Sequence, residues 1–222
     1  IDLRKSVELS STGDGSVVRF GDIDGDGDND VVMSTARKSA LFVLYNDNSE
    51  FTRLDTLIQP KAGSYIDGDD VNGVLKYDLH DMNSDGVDDI TITQYSGFHT
   101  NSIVIFTFNG EEFEQFKKIE LQEQSVFVTE VHCADLNGDD RQDILLSNNY
   151  DGKFFLTLLS KENGSFEENR IETPEIQPGD SYLDDINGDG DQDVILTSND
   201  AQIVIYHGNG AGDFTYDRTL TG

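Results

Sequence analysis

A short acidic loop, with Asp or Asn at alternate positions, occurs four times in this 222-residue chain. The copies read DIDGDGDND from Asp22, DMNSDGVDD from Asp81, DLNGDDRQD from Asp135 and DINGDGDQD from Asp185. Counted from the first Asp of each copy, positions 1, 3, 5 and 9 are Asp22, Asp24, Asp26 and Asp30; Asp81, Asn83, Asp85 and Asp89; Asp135, Asn137, Asp139 and Asp143; and Asp185, Asn187, Asp189 and Asp193. We therefore expect a repeat protein with one such loop in each structural unit.

The spacing of the acids predicts calcium sites. Alternate side chains of a tightly curled loop point inward together, and calcium takes about six to eight oxygen ligands. The main-chain carbonyl of position 7 can supply one of them, which accounts for the varied residues there: Asp28, Val87, Arg141 and Asp191. Magnesium demands stricter geometry and zinc prefers His or Cys ligands, so we expect up to four Ca²⁺ ions.

The third copy departs from the others at position 6, where Asp140 replaces Gly. A curled loop needs positive φ there, and Gly adopts it without steric cost. Asp tolerates the left-handed region better than most residues, so the third loop is still expected to form.

The residues that follow each loop exclude an EF-hand. An EF-hand has Glu at position 12 and continues into a helix, whereas position 12 here is Met33, Ile92, Leu146 or Leu196 within a short apolar run. Such runs are typical of strands. Before each loop, alternate residues predict a strand with one face in a core: Val18 and Phe20, Tyr77 and Leu79, Val131 and Cys133, and Ser181 and Leu183.

The repeat length predicts an all-β fold of four-stranded antiparallel blades. Successive first Asp residues are 59, 54 and 50 positions apart, which is the size of a β-propeller blade. Phe20-Gly21 followed by DxDGDGxxD resembles the FG-GAP or VCBS repeat of integrin-α-type calcium-binding β-propellers. We expect a single propeller or partial-propeller domain over 1–222, with blades at about 16–58, 73–121, 126–173 and 179–222.

Four predicted blades are compatible with more than one complete ring. Residues 1–10 resemble the last strand of a preceding blade, and the resemblance implies a ring of seven or eight blades. Four blades in this chain then favour part of a larger ring, completed by the parent chain or by another subunit. A compact four-bladed ring is a further alternative.

Composition and the resemblance together predict an extracellular, cell-surface or periplasmic protein. The 44 acidic residues outnumber 15 basic ones, a formal charge of −29, which opposes binding to nucleic acid or anionic membranes. No apolar run is long enough to insert into a bilayer. Weak Asp and Asn loops fill at millimolar calcium, the level found outside cells.

The resemblance implies a binding or adhesion module that recognises a glycan or protein through loops at one face of the propeller. Aromatic residues beside polar ones in the connecting segments suggest Tyr65, Tyr95, Phe98 and His99 as candidate ligand contacts. A polysaccharide lyase or hydrolase on this scaffold is an alternative, although basic residues are scarce and no catalytic residue stands out. A structural spacer within a larger surface protein is another.

Overall fold

A computed structural model describes residues 17–35, 40–58, 76–96, 99–123, 126–148, 153–173, 176–198 and 200–221. Every regular element in these ranges is a β-strand, which confirms the predicted all-β class. None of the described residues belongs to a helix that could cross a bilayer.

Within the described ranges, sixteen strands form four sheets, which we call blades 1 to 4. Each blade contains four strands that follow one another in chain order. Blade 1 consists of β1 (Val18–Gly21), β2 (Asp30–Thr35), β3 (Ala40–Asp47) and β4 (Glu50–Ile58); blade 2 of β5 (Tyr77–His80), β6 (Asp89–Ser96), β7 (His99–Phe108) and β8 (Phe113–Glu120); blade 3 of β9 (Val128–Ala134), β10 (Asp143–Asn148), β11 (Phe154–Ser160) and β12 (Phe166–Glu172); and blade 4 of β13 (Pro178–Asp184), β14 (Asp193–Ser198), β15 (Gln202–Gly208) and β16 (Phe214–Thr221).

The acidic loops join the first and second strands of the blades in one common register. Position 9 of each loop is the first residue of the second strand and pairs with the residue that precedes position 1. These pairs are Gly21 with Asp30, His80 with Asp89, Ala134 with Asp143, and Asp184 with Asp193. Every loop is therefore closed at its base by the same antiparallel pair.

The chain divides into two compact units, Ile1–Phe98 with Val104–Lys118, and His99–Ile103 with Ile119–Gly222. In the first unit, blade 1 packs against blade 2. The shared core contains Ile23, Val32, Leu41, Val43 and Tyr45 from blade 1 and Tyr77, Leu79, Ile90, Ile92, Val104 and Phe106 from blade 2. The Tyr77 hydroxyl also donates to the carbonyl of Val32 at 2.8 Å, which ties the two sheets together.

In the second unit, blade 3 packs against blade 4. Their core contains Leu136, Leu145, Phe155, Leu159, Ile176, Val194, Leu196, Val204 and Tyr206. The Phe155 ring meets the rings of Tyr206 and Phe214 edge to face, each with centroids 5.6 Å apart. Edge-to-face contacts add to the stabilisation that comes from burial alone.

The strand before each loop has its expected core positions buried in blades 2 and 3 but not in blade 1. Tyr77 and Leu79 are 1% and 7% exposed, and Val131 and Cys133 are 0% and 4% exposed. Val18 and Phe20, by contrast, are 42% and 67% exposed. The prediction is wrong for this pair because Val18 and Phe20 belong to the face of blade 1 that points away from blade 2.

Candidate metal-binding loops

The carboxylate at position 1 organises each loop by accepting backbone hydrogen bonds. In the first loop, Asp22 Oδ1 accepts the N–H groups of Gly25 at 2.8 Å and Asp26 at 3.1 Å, and Oδ2 accepts that of Gly27 at 2.9 Å. A short Asp side chain can thus hold the backbone in a turn without any residue from outside the loop.

The same arrangement recurs in the other loops. Asp185 accepts the N–H groups of positions 4, 5 and 6, at 2.7, 3.1 and 2.9 Å. Asp135 accepts the same three groups, and Asp81 accepts those of positions 5 and 6. The repeated sequence therefore builds four loops of closely similar geometry.

Positions 4 and 6 carry the positive φ that this turn requires. At position 6, φ is 92° at Gly27, 89° at Gly86 and 97° at Gly190, and Asp140 adopts 62° in the third loop. Asp140 therefore takes the left-handed conformation expected of it. Ser84, at position 4 of the second loop, does the same with φ 63°, a substitution that the sequence analysis did not single out.

Position 9 anchors each loop to the body of its blade. Asp30, Asp89, Asp143 and Asp193 are all 0% exposed. Asp30 Oδ2 accepts the N–H of Ile23 at position 2 of its own loop, at 3.0 Å, and Oδ1 accepts the N–H of Asn46 on β3, at 2.8 Å. One buried carboxylate thereby joins the loop to the third strand.

Two other blades repeat this anchor with different partners on the third strand. Asp143 accepts the N–H groups of Leu136 and Ser160, and Asp193 those of Ile186 and Gly208. In the second loop, Asp89 Oδ2 accepts the N–H groups of Met82 and Asn83, at 2.9 and 3.1 Å. Each anchor carboxylate is hydrogen-bonded, as a buried acid must be.

Burial makes these anchor carboxylates reluctant to ionise. Burial, together with the negative charges of Asp85 and Asp139 in the same loops, raises the pKa of Asp89 and of Asp143 to about 6, although the hydrogen bonds that these carboxylates accept oppose the rise. The pKa of Asp30 is raised as well, mainly by burial. A cation beside the loop would favour the ionised form of all three, because opposite charge lowers the pKa of an acid.

The first loop brings three of the predicted ligands together. One carboxylate oxygen from each of Asp22, Asp24 and Asp30 lies within 4.8 Å of the others. Asp24 Oδ1 and its counterpart Asn83 Oδ1 in the second loop are buried oxygens without a hydrogen-bond partner among the described residues. Both stand at position 3, and a hard cation such as calcium would satisfy such an oxygen.

Position 5 has a smaller part in the loop framework. Asp26, Asp85, Asp139 and Asp189 each accept the N–H of position 7 through Oδ1. At position 7 of the first loop, the Asp28 side chain is engaged by the turn between β3 and β4, where its Oδ2 accepts the N–H of Asn48 at 2.7 Å. This contact suits the prediction that position 7 contributes through its main chain.

Two basic side chains contact acids of the third and fourth loops, a side-chain role that the loop motif does not predict. The Arg141 guanidinium forms an ion pair with Asp139, a predicted ligand of its own loop. His207 on β15 has Nδ1 3.1 Å from Asp193 Oδ2 and 3.4 Å from Asn187 Nδ2. Arg141 is the one basic residue within the four loop sequences. His207 lies outside them, and the pairing of β14 with β15 brings it next to the fourth loop.

The candidate ligand contacts are only partly described. Tyr95 lies in β6, and His99 is the first residue of β7. Tyr65 and Phe98 lie outside the described residues. The ligand site built from these four residues therefore stays a prediction.

Comparison with known proteins supports the repeat and the fold. The profile of the FG-GAP-like repeat matches residues 81–146, from the first Asp of the second loop to β10. None of the curated proteins matches the chain in sequence.

Two solved structures share the architecture. A lectin of Agrocybe aegerita, described as specifically recognising non-reducing terminal N-acetylglucosamine, aligns with 93% of this chain and 52% of its own, with a TM-score of 0.61 and 17% identity. BBS1N, solved in complex with ARL6DN, aligns with 92% of this chain and 52% of its own, with a TM-score of 0.55 and 13% identity. The chain thus spans about half the length of each, and the likeness is one of fold.

The matched segment covers the second loop, the whole of the strands β6 to β9 and the third loop, so it contains two of the four acidic loops. The four-stranded blades and the similar structures agree with it. The resemblance inferred from the sequence is confirmed: this chain carries the FG-GAP-like repeat, at residues 81–146, on a β-propeller-type fold.

Proposed function

We propose that this chain is a calcium-stabilised binding module of an extracellular, cell-surface or periplasmic protein, and that it recognises a glycan. The observation that carries the calcium part is the buried, unpartnered oxygen at position 3 of the first two loops, beside a fully buried carboxylate at position 9. Uncompensated buried oxygens and clustered acids are costly, and a bound cation removes both costs.

Positions 1, 3, 5 and 9 of each loop would hold the ion. The hydrogen bonds leave oxygens free to bind the ion. At position 1 of every loop, Oδ2 accepts one N–H and keeps a second lone pair, and each oxygen of Asp30 at position 9 likewise accepts one N–H. The bound ion would supply positive charge that neutralises the acids, and the loop backbone would supply the preorganised turn.

Calcium binding of this kind would add to stability in proportion to the logarithm of its concentration once a site is filled. At a calcium concentration about 100-fold above the dissociation constant, one site adds about 2.7 kcal/mol to the free energy of unfolding. Loops with dissociation constants of about 10⁻⁴–10⁻³ M fill at millimolar calcium and stay nearly empty at cytosolic levels, which is why we place the protein outside the cytosol.

The glycan part of the proposal is supported by the shared fold of the Agrocybe aegerita lectin. In every blade, the second strand ends and the third strand begins at the end of the sheet opposite to the acidic loop. We assign ligand recognition to that end, where β6 ends one residue after Tyr95 and β7 begins with His99. A protein ligand is the alternative outcome.

The calcium part is tested by metal analysis and thermal unfolding of the purified chain with calcium, with magnesium and with a chelator. We expect up to four calcium ions per chain and a melting temperature that falls on chelation and recovers with calcium. Asp22→Ala and Asp185→Ala should each lower the calcium count by about one. An unchanged count in both variants would contradict the assignment.

The glycan part is tested separately, with the calcium-loaded chain on a glycan array. Binding to glycans with one type of terminal sugar, lost in Tyr95→Ala or His99→Ala at unchanged melting temperature, would support it. A calcium-loaded, folded chain that binds no glycan but captures a protein would replace the glycan with a protein ligand.

A further inference from the structure

On blade 1, six apolar residues of β1, β2 and β3 share a sheet face and are exposed or half-buried. Strand pairing places Val18 opposite Met33 and Phe20 opposite Val31, and continues from Val31 to Leu44 and from Met33 to Phe42. Val18 and Phe20 are 42% and 67% exposed, and the other four are half-buried. We call these six residues the blade-1 face.

The residues at matching positions of blades 2 and 4 are buried by a neighbouring blade. In blade 2, Tyr77 pairs with Ile92 and Leu79 with Ile90, as Val18 pairs with Met33 and Phe20 with Val31 in blade 1. The four blade-2 residues pack against blade 1. In blade 4, the matching residues Val194, Leu196, Val204 and Tyr206 pack against blade 3 and are at most 3% exposed. The blade-1 face therefore has the position and chemistry of a surface that receives another blade.

Blade 4 exposes the other side of its sheet, the side turned away from blade 3. Tyr182 pairs with Ile195, Ile195 with Ile205, and Thr197 with Ile203, which lie on the side of the sheet away from blade 3. Tyr182 and Ile203 are 65% and 41% exposed. Ile186, at position 2 of the fourth loop, is 40% exposed. We call Tyr182, Ile186, Ile195, Ile203 and Ile205 the blade-4 face.

The counterparts of the blade-4 face in blade 1 are the residues that insert into the next blade. Ile23, at position 2 of the first loop, corresponds to Ile186. Val32, Leu41 and Val43 correspond to Ile195, Ile203 and Ile205, since they occupy the same register. All four blade-1 counterparts are 0% exposed within the core shared with blade 2. The chain thus exposes both halves of an interface that it already forms between its own blades.

We propose that a second copy of this chain covers these faces, with the blade-4 face of one copy packed on the blade-1 face of the other. The two faces are different and complementary, so the contact is head to tail. Large exposed apolar sheet faces mark interaction sites in soluble proteins. Two copies also hold as much chain as each similar solved structure, of which this chain covers 52%.

The proposal is tested by sedimentation of the 222-residue chain in calcium-containing buffer from low to high micromolar concentration. We expect association that rises with concentration, and a chain that stays monomeric throughout overturns the proposal. Phe20→Asp and Ile203→Asp each place a charge on one face and should weaken association about 30-fold or more. Phe116→Asp is the matched control, because Phe116 is 51% exposed on β8 outside both faces, and it should associate as the unaltered chain does.

A mixture of the two face variants tests the head-to-tail geometry. The Phe20→Asp chain keeps its blade-4 face and the Ile203→Asp chain keeps its blade-1 face, so an equimolar mixture should form one-to-one pairs although neither variant associates alone. Pairs of either variant by itself, or no pairs in the mixture, would overturn the proposal. Melting temperatures verify folding, and Phe20→Ser with Tyr182→Ser replaces any variant that does not fold.

Discussion

Replacing Asp24 by Asn should have opposite effects on the metal-free and calcium-loaded protein. Asn already occupies position 3 in the other three loops, so the substitution is compatible with the loop geometry. In the fourth loop, Asn187 Oδ1 accepts the N–H of Asp189 at 2.8 Å, a bond that an amide side chain at position 3 of the first loop could form with Asp26 in the same way. Asp24→Asn therefore changes charge while it preserves shape.

The magnitude follows from the spacing of the acids. Carboxylate oxygens of Asp22, Asp24 and Asp30 lie within 4.8 Å of one another, a separation at which two unit charges repel by about 0.9 kcal/mol in water and about 3.5 kcal/mol at an effective dielectric near 20. Asp24 is half-buried, and water screens its charge, so we use the lower value. Removing its two pairs should stabilise the metal-free chain by about 2 kcal/mol, or about 4–8 °C in melting temperature.

The calcium-loaded protein should respond in the other direction, because the ion loses a charged ligand. The assay is thermal unfolding with chelator and with millimolar calcium, for the unaltered chain, Asp24→Asn and Asp200→Asn. Asp200 lies in the β14–β15 connection, so Asp200→Asn removes the same charge away from the acidic loops and should change neither state appreciably. The reasoning is refuted if Asp24→Asn lowers the melting temperature of the metal-free chain, or shifts both states equally.

Three further predictions concern other loops and the core. Arg141→Gln should strengthen calcium binding at the third loop, because it removes the guanidinium that pairs with a predicted ligand; calcium titration calorimetry measures this, and weaker binding would contradict it. The metal-free protein should melt at a higher temperature at pH 5 than at pH 7.5, because Asp89 and Asp143 have pKa values raised to about 6 in the folded state. Protonation of these two acids therefore stabilises the fold fully below the unfolded pKa near 4, and this stabilisation is lost as the pH rises through 6. Calorimetry without metal at the two pH values measures the difference in melting temperature. Tyr77→Phe should lower the free energy of unfolding by about 1–2 kcal/mol in chemical denaturation, because the single O–H of Tyr77 lies within hydrogen-bond distance of two main-chain carbonyls, those of Val17 and Val32. An unchanged midpoint would show that this hydrogen bonding adds nothing.

The acidic hairpins could be predicted from the sequence because their determinants are local. Position 1 bonds to backbone groups at most five residues further on, so the nine-residue pattern contains most of what shapes the loop. The same holds for Asp140, whose φ of 62° follows from the conformational preference of Asp.

What the sequence could not show depends on residues distant in the chain. Asp30 is anchored by Asn46, sixteen positions later, and this partner follows from the register of β3 rather than from any motif. Phe20 has the same place in its strand as the buried Leu79, yet its exposure depends on which sheet packs beside it. Alternation along a strand identifies a face but not what covers that face.

Loop formation and blade packing are physically coupled in the first unit. Asp22 begins the first loop, and its N–H donates to Asp88 Oδ2 of the second loop at 3.0 Å, while the Asp88 N–H donates to the Asp22 carbonyl at 2.9 Å. Ile23, the next residue, is fully buried in the core between the two blades. A cation held by the first loop would therefore stabilise the contact between blades 1 and 2 as well as the loop itself. The fourth loop differs, since Ile186 at the same position is 40% exposed, and its coupling to a neighbouring blade would begin only when another copy covers that face.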